Sequence, residues 1–158
     1  VAIIDFRPDK DDQLEPFSGE HGRLIYDFLN THQIPLQFLW MAYLIRARKT
    51  PRPRFAASEM RFWLQNLIAE LDLVEPRAVI LHGHTAAAVL GESRPIEKLR
   101  KTRFVKRSQP NINWFVTYSC LDVASRGGLD SEVGQSWMLD HLAVFERTAQ
   151  YFATEVIE

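Results

Sequence analysis

Four short apolar runs, at residues 1–5, 38–45, 78–81 and 113–118, are separated by stretches of helical periodicity, and this alternation most restricts how the chain can fold. Residues 19–32 carry Leu24, Ile25, Phe28 and Leu29 at helical spacing. Ser58 is placed to cap a second helix whose apolar face is Met60, Trp63, Leu64, Leu67, Ile68 and Leu71. The third run passes through Gly83 into a small-residue helix, Thr85–Leu90, ended by Gly91. A last helix is predicted over 132–153, with Met138, Leu142, Phe145, Ala149 and Phe152 on one face. Strands that alternate with helices form a sheet covered on both sides. The expected architecture is therefore a three-layer α/β sandwich around a central, mostly parallel, four-stranded sheet.

At 158 residues and 46% hydrophobic content, the chain suits one compact domain. It opens at Val1 without a methionine, as expected of a processed protein or of a domain within a longer chain. One cysteine excludes a disulfide framework, a cysteine-built zinc site and a four-thiolate cluster. No run approaches the roughly 20 apolar residues of a membrane span, and no signal peptide opens the chain. The expectation is an intracellular protein, cytoplasmic or nucleoid-associated.

The net charge of -1 conceals segregation. Residues 46–54 hold Arg46, Arg48, Lys49, Arg52 and Arg54 with no acidic residue between them. Residues 94–107 add Arg94, Lys98, Arg100, Lys101, Arg103, Lys106 and Arg107 against Glu97 alone. Such a local stripe matters more to a phosphate backbone than total charge does. In parallel sheets ligands sit beyond the carboxyl ends of the strands, where the first basic block falls; the second leads into the fourth strand.

Most chemistry is excluded residue by residue. Asp5-Phe6-Arg7-Pro8-Asp9 follows the first strand, where a phosphate-cradling loop needs glycines. Asp9, Asp11 and Asp12 offer oxygens to a hard cation, but an acidic loop is ordinarily just solvated. His82 and His84 flank Gly83 with no cysteine or carboxylate beside them in sequence, and no metal site is expected. Cys120 reads as a small buried thiol, since no spacing puts a histidine or cation next to it.

The order of four segments resembles the uracil-DNA glycosylase superfamily, specifically its iron–sulfur branch. Residues 75–91, EPRAVILHGHTAAAVLG, look like that family's RPKVIVALGATAARALLG. EPFSG at 15–19 looks like RPFVG, IEKLR at 96–100 resembles ITKLRG, and VTYSCL at 116–121 takes the place of PTYHPSYL. The resemblance implies the family's α/β fold and a chemistry in which uracil is flipped out of DNA and its N-glycosidic bond is hydrolysed.

The same alignment removes the equipment for that chemistry. The GEAPG motif falls on residues 5–9, with Phe6 at the Glu position and only Pro8 matching. The uracil-reading Asn falls on Tyr43, and the His and Pro of the HPS motif fall on Ser119 and Cys120. Two cluster cysteines fall on Ala47 and Met60, so no cofactor is expected. Phe17 keeps the place of the aromatic that stacks beneath uracil.

Two expectations follow. In the first, a catalytically degenerate glycosylase-like domain serves as a DNA-binding or protein-interaction module, in the manner of an accessory domain in viral or mobile-element replication or repair. Binding would be sequence-independent, to single-stranded or duplex DNA, through Arg46, Arg48, Lys49, Arg52, Arg54, Lys98, Arg100, Lys101, Arg103, Lys106 and Arg107, with Phe17 and Tyr43 stacking bases. In the second, a divergent glycosylase uses Asp5, Asp9 or Asp11 to orient water and Ser119 or His84 to stabilise the departing base.

Overall fold

The computed structural model describes residues 1–8, 16–46, 56–146 and 152–158. Its elements are β1 (Ala2–Asp5), α1 (Arg23–Thr31), β2 (Trp40–Tyr43), α2 (Ala57–Val74), β3 (Ala78–His82), α3 (Thr85–Leu90), α4 (Ile96–Leu99), β4 (Thr102–Lys106), β5 (Gln109–Thr117), α5 (Cys120–Ser125), α6 (Glu132–Phe145) and β6 (Ala153–Ile157). One sheet holds six strands in the order β2-β1-β3-β5-β4-β6. β2, β1, β3 and β5 run parallel, β4 is antiparallel to β5, and β6 is parallel to β4.

The sheet is therefore mostly parallel, as expected, but six strands wide rather than four. The two extra strands were concealed by polarity. β4 lies inside the second basic block, and its side chains are mostly half-buried although it pairs with β5 on one side and β6 on the other. The turn between β4 and β5 is Arg107 and Ser108, and Gln109, Pro110 and Asn111, residues of turn-like character, already belong to β5. Pro110 is tolerated because β5 pairs with β3 only from Asn113 onward, so its missing N–H breaks no bond on that side.

The C-terminal segment differs too. α6 stops at Phe145, and Ala153–Ile157 pairs with β4 instead of continuing the helix. Its buried face is Gly134, Trp137, His141 and Val144, one residue out of phase with the predicted stripe; Met138, Leu142 and Phe145 are only partly buried beside it. Ser58 lies within α2, which starts from Ala56 without a side-chain cap.

The period of two along each central strand divides the core in two. Ala2, Ile4, Val79, Leu81, Trp114 and Val116 face a layer with Leu67, Leu71 and Leu90. Ile3, Ile80 and Phe115 face the other, with Ile25, Phe28 and Trp137. No helix among the described residues is long and apolar enough to cross a membrane.

Candidate functional site

Because four neighbouring strands are parallel, their last residues line one edge. Tyr43, Asp5, His82 and Thr117 close β2, β1, β3 and β5 and follow one another across the sheet. This is the edge at which open α/β sheets bind ligands. Ser119 and Cys120 enter α5 directly beyond β5.

A polar chain runs inward from Asp5. Its Oδ1 accepts the Phe6 N–H at 2.7 Å, and its Oδ2 lies 3.2 Å from His82 Nδ1. Cys120 Sγ is 3.8 Å from that same Nδ1. On the other side of the ring, His82 Nε2 meets His141 Nε2 at 3.0 Å. His141 Nδ1 lies 2.7 Å from the Trp137 carbonyl. Both imidazoles are shut off from solvent, while Asp5 retains slight exposure.

The partners fix the hydrogens. A carbonyl only accepts, so His141 Nδ1 carries the proton that it donates to Trp137. Burial first, and the adjacent His82 second, hold the His141 pKa down to about 3, so the ring is neutral near pH 7. Its bare Nε2 then accepts from His82 Nε2–H. This leaves the His82 Nδ1 lone pair facing the Asp5 carboxylate oxygen 3.2 Å away and the Cys120 sulfur 3.8 Å away, whose S–H can donate to it.

Next to this chain, Phe17 and Tyr43 stack on each other with centroids 4.6 Å apart and planes 29° apart. The Phe17 N–H donates to the Tyr43 hydroxyl at 3.0 Å. Both rings are buried. Phe17 adopts φ 62°, a left-handed conformation unusual for an aromatic residue, and Gly22 packs against its backbone. The two residues expected to stack bases thus occupy each other's faces.

The remaining predicted residues are spread out. Ser119 caps α5: its Oγ accepts the Asp122 N–H at 3.1 Å, and the Asp122 carboxylate answers through the Ser119 backbone N–H. His84 is exposed, 6.4 Å from the Phe6 ring. Asp9, Asp11, Arg48, Lys49, Arg52 and Arg54 lie outside the described residues.

The second basic block does not form a single face, since antiparallel β4 has Thr102 at the carboxyl edge and Lys106 at the opposite one. Among the described residues, three of its seven cations meet carboxylates and two more donate to neutral oxygens. Arg100 forks onto Asp140 at 2.7 and 2.9 Å, and Thr117 Oγ1 donates to the same carboxylate at 2.6 Å. Burial holds the Asp140 carboxyl above its usual range in spite of both partners. Arg94 pairs with Glu92 and Glu155, Arg107 with Glu158, and Arg103 donates to Thr154 Oγ1. Lys106 donates to the Val89 carbonyl, and burial lowers its pKa. From the first block, Arg46 pairs with Glu70. Lys98 and Lys101, just before β4, are exposed.

Sequence reasoning named Asp5 and His82 but placed nothing beside the histidine. The strand order supplies what was missing: β1 neighbours β3, which puts Asp5 against His82, and β5 delivers Cys120 to the same ring. His141 was overlooked because the predicted face of α6 was out of phase by one residue. The available signal was a polar residue closing each of three apolar strands.

The model of the uracil DNA glycosylase superfamily matches residues 1–137 of this chain. No curated protein matches it.

Proposed function

The chain belongs to the uracil-DNA glycosylase superfamily, and from that premise we propose that it holds DNA at the carboxyl edge of its sheet without excising a base. The observation that carries this reading is the buried stack of Tyr43 on Phe17. Base excision needs a pocket into which the flipped base can enter and stack. Here the aromatic at the stacking position is already covered by a ring of its own chain, held there by a hydrogen bond.

The groups that excision would require are engaged as well. Asp5 is tied to His82 and to the Phe6 amide. Ser119, at the position of the family's histidine, is committed to a helix cap. Removing one donor to the departing base costs on the order of a hundredfold in rate, and here the acid, the base reader and that donor are all replaced. A fold persists readily when its chemistry does not. Binding would rest on the exposed Lys98 and Lys101 beside the edge, with the arginines of 46–54, and would be electrostatic.

The test uses fluorescent oligonucleotides, single-stranded and duplex, with and without one uracil. Binding that weakens with salt, and no strand breakage after alkali, is the expected result. Breakage confined to uracil would overturn the reading in favour of a divergent glycosylase. Absence of both binding and breakage would overturn it in favour of a protein partner.

A further inference from the structure

We propose that Asp5, His82 and Cys120 form a zinc-binding site at the carboxyl edge of the sheet. Oδ2 of Asp5, Nδ1 of His82 and Sγ of Cys120 all lie within 4.8 Å of one another. Two of the three separations are 3.2 Å (N to O) and 3.8 Å (N to S). In a tetrahedral zinc site with Zn–N and Zn–O near 2.0 Å and Zn–S near 2.3 Å, ligand atoms sit about 3.3 to 3.6 Å apart. Both separations from His82 Nδ1 are thus within about 0.3 Å of those around a zinc ion, and the third is no more than 4.8 Å.

The surroundings orient the central ligand. A metal-binding histidine needs its far nitrogen held by an acceptor so that the near one presents a lone pair. His141 provides this, its own hydrogen fixed on the Trp137 carbonyl and its Nε2 facing His82 Nε2. The His82 Nδ1 lone pair is thereby directed at the carboxylate and the thiol, the side on which these three groups would hold a cation. A mixed oxygen, nitrogen and sulfur set favours Zn2+ over Mg2+ or Ca2+, which take oxygen ligands. Three protein ligands leave a fourth position for water, and the Asp5 side chain, 13% exposed, connects the site to the surface.

No such site is expected from the sequence, because no cysteine or carboxylate stands near His82 in the chain. The ligands instead come from the end of β1, the end of β3 and the first residue of α5, so an ion would fasten three elements together. The site is independent of DNA binding and stands or falls separately from it.

The experiment titrates chelator-treated full chain with Co2+, whose four-coordinate thiolate complexes absorb in the visible and near ultraviolet. Saturation at one equivalent, displacement by Zn2+, loss of the near-ultraviolet band in Cys120→Ser and its retention in His84→Ala are expected. Should Cys120→Ser fail to fold, the wild-type chain alone decides: one equivalent of Zn2+, but not Mg2+, raises Tm by about 5 °C or more. A wild-type chain that shows neither band nor Tm shift overturns the proposal, as does a band that survives Cys120→Ser.

Discussion

The Tyr43 hydroxyl accepts the backbone N–H of Phe17 while the two rings stack 4.6 Å apart, so one side chain fixes both the backbone and the ring of a residue 26 positions away. This pair ties the loop after β1 to the end of β2. Tyr43→Phe keeps the stack but leaves a buried amide without its acceptor, which costs about 1–2 kcal/mol. Tyr43→Ala loses the ring as well and costs about 3 kcal/mol or more. Urea denaturation of the two variants separates these contributions, and an unchanged midpoint in Tyr43→Phe would show that the hydroxyl does not hold Phe17.

The same loop constrains Gly22. A Cβ there would stand 2.5 Å from the Phe17 Cα and carbonyl oxygen, which are backbone atoms and cannot rotate aside. Gly22→Ala is expected to cost about 2 kcal/mol or more through this clash. Gly91 provides the contrast: nothing lies within 4 Å of its Cβ position, but its φ is 72°. Gly91→Ala should cost only about 1 kcal/mol, from backbone strain alone. Thermal denaturation ranks them, and equal losses would contradict the steric account.

The elements legible in the sequence were those whose burial is written as an unbroken apolar run. β1, β3 and α3 with its Gly91 cap fall within a residue of where Ile3, Ile80 and Val89 put them. β4 and β6 carry no apolar run because the two strands at this end of the sheet are half polar, as Thr102, Arg103 and Glu155 show, without losing their pairing. The candidate site was legible only as separate residues. Asp5, His82 and Cys120 are each unremarkable in the chain, and what joins them is a strand order that places β3 between β1 and β5. Phe17 and Tyr43 were both singled out, but their contact depends on a left-handed φ at Phe17 that no propensity predicts.

Arg100 is the partner that makes a largely desolvated, half-buried Asp140 carboxylate tolerable. Among the described residues, Arg100→Met therefore leaves that carboxylate with the Thr117 hydroxyl alone and is expected to cost about 2 kcal/mol. Adding Asp140→Asn removes the uncompensated charge, and the double variant should recover more than half of the loss. A double-mutant cycle by urea denaturation checks this, and strictly additive losses would mean that the two residues are not coupled.

Lys98 and Lys101 are exposed near the carboxyl edge. If each neutralises one phosphate, Lys98→Ala with Lys101→Ala lowers the slope of log K against log salt by about 1.8 for duplex DNA. Arg107→Ala, at the far end of β4 and paired with Glu158, should leave the slope unchanged. Fluorescence anisotropy across a salt series reads both, and an equal effect from Arg107→Ala would move the binding surface off this edge.

His141 gives the fold an acid-sensitive point. Its pKa is held at about 3 in the folded chain, against an ordinary value near 6.5 once unfolded. The unfolded chain therefore takes up a proton below pH 6.5 that the folded chain refuses, and stability falls as pH drops from 6.5 toward 3. The slope approaches about 1.4 kcal/mol per pH unit, or about 2 kcal/mol between pH 6.5 and 5. The groups around the ring do not reverse the sign: His82 adjoins it, with Asp5 and Cys120 beyond His82, and the Trp137 carbonyl and the Phe28 ring cover the other sides. His141→Gln keeps an acceptor for His82 Nε2–H but cannot titrate. Urea denaturation at pH 7.5, 6.5 and 5, with a chelator present so that no ion competes, should show wild type losing about 2 kcal/mol more than the variant over the last interval. Parallel losses in the two proteins would mean that the acid response belongs to the carboxylates and that His141 is protonated in the folded chain.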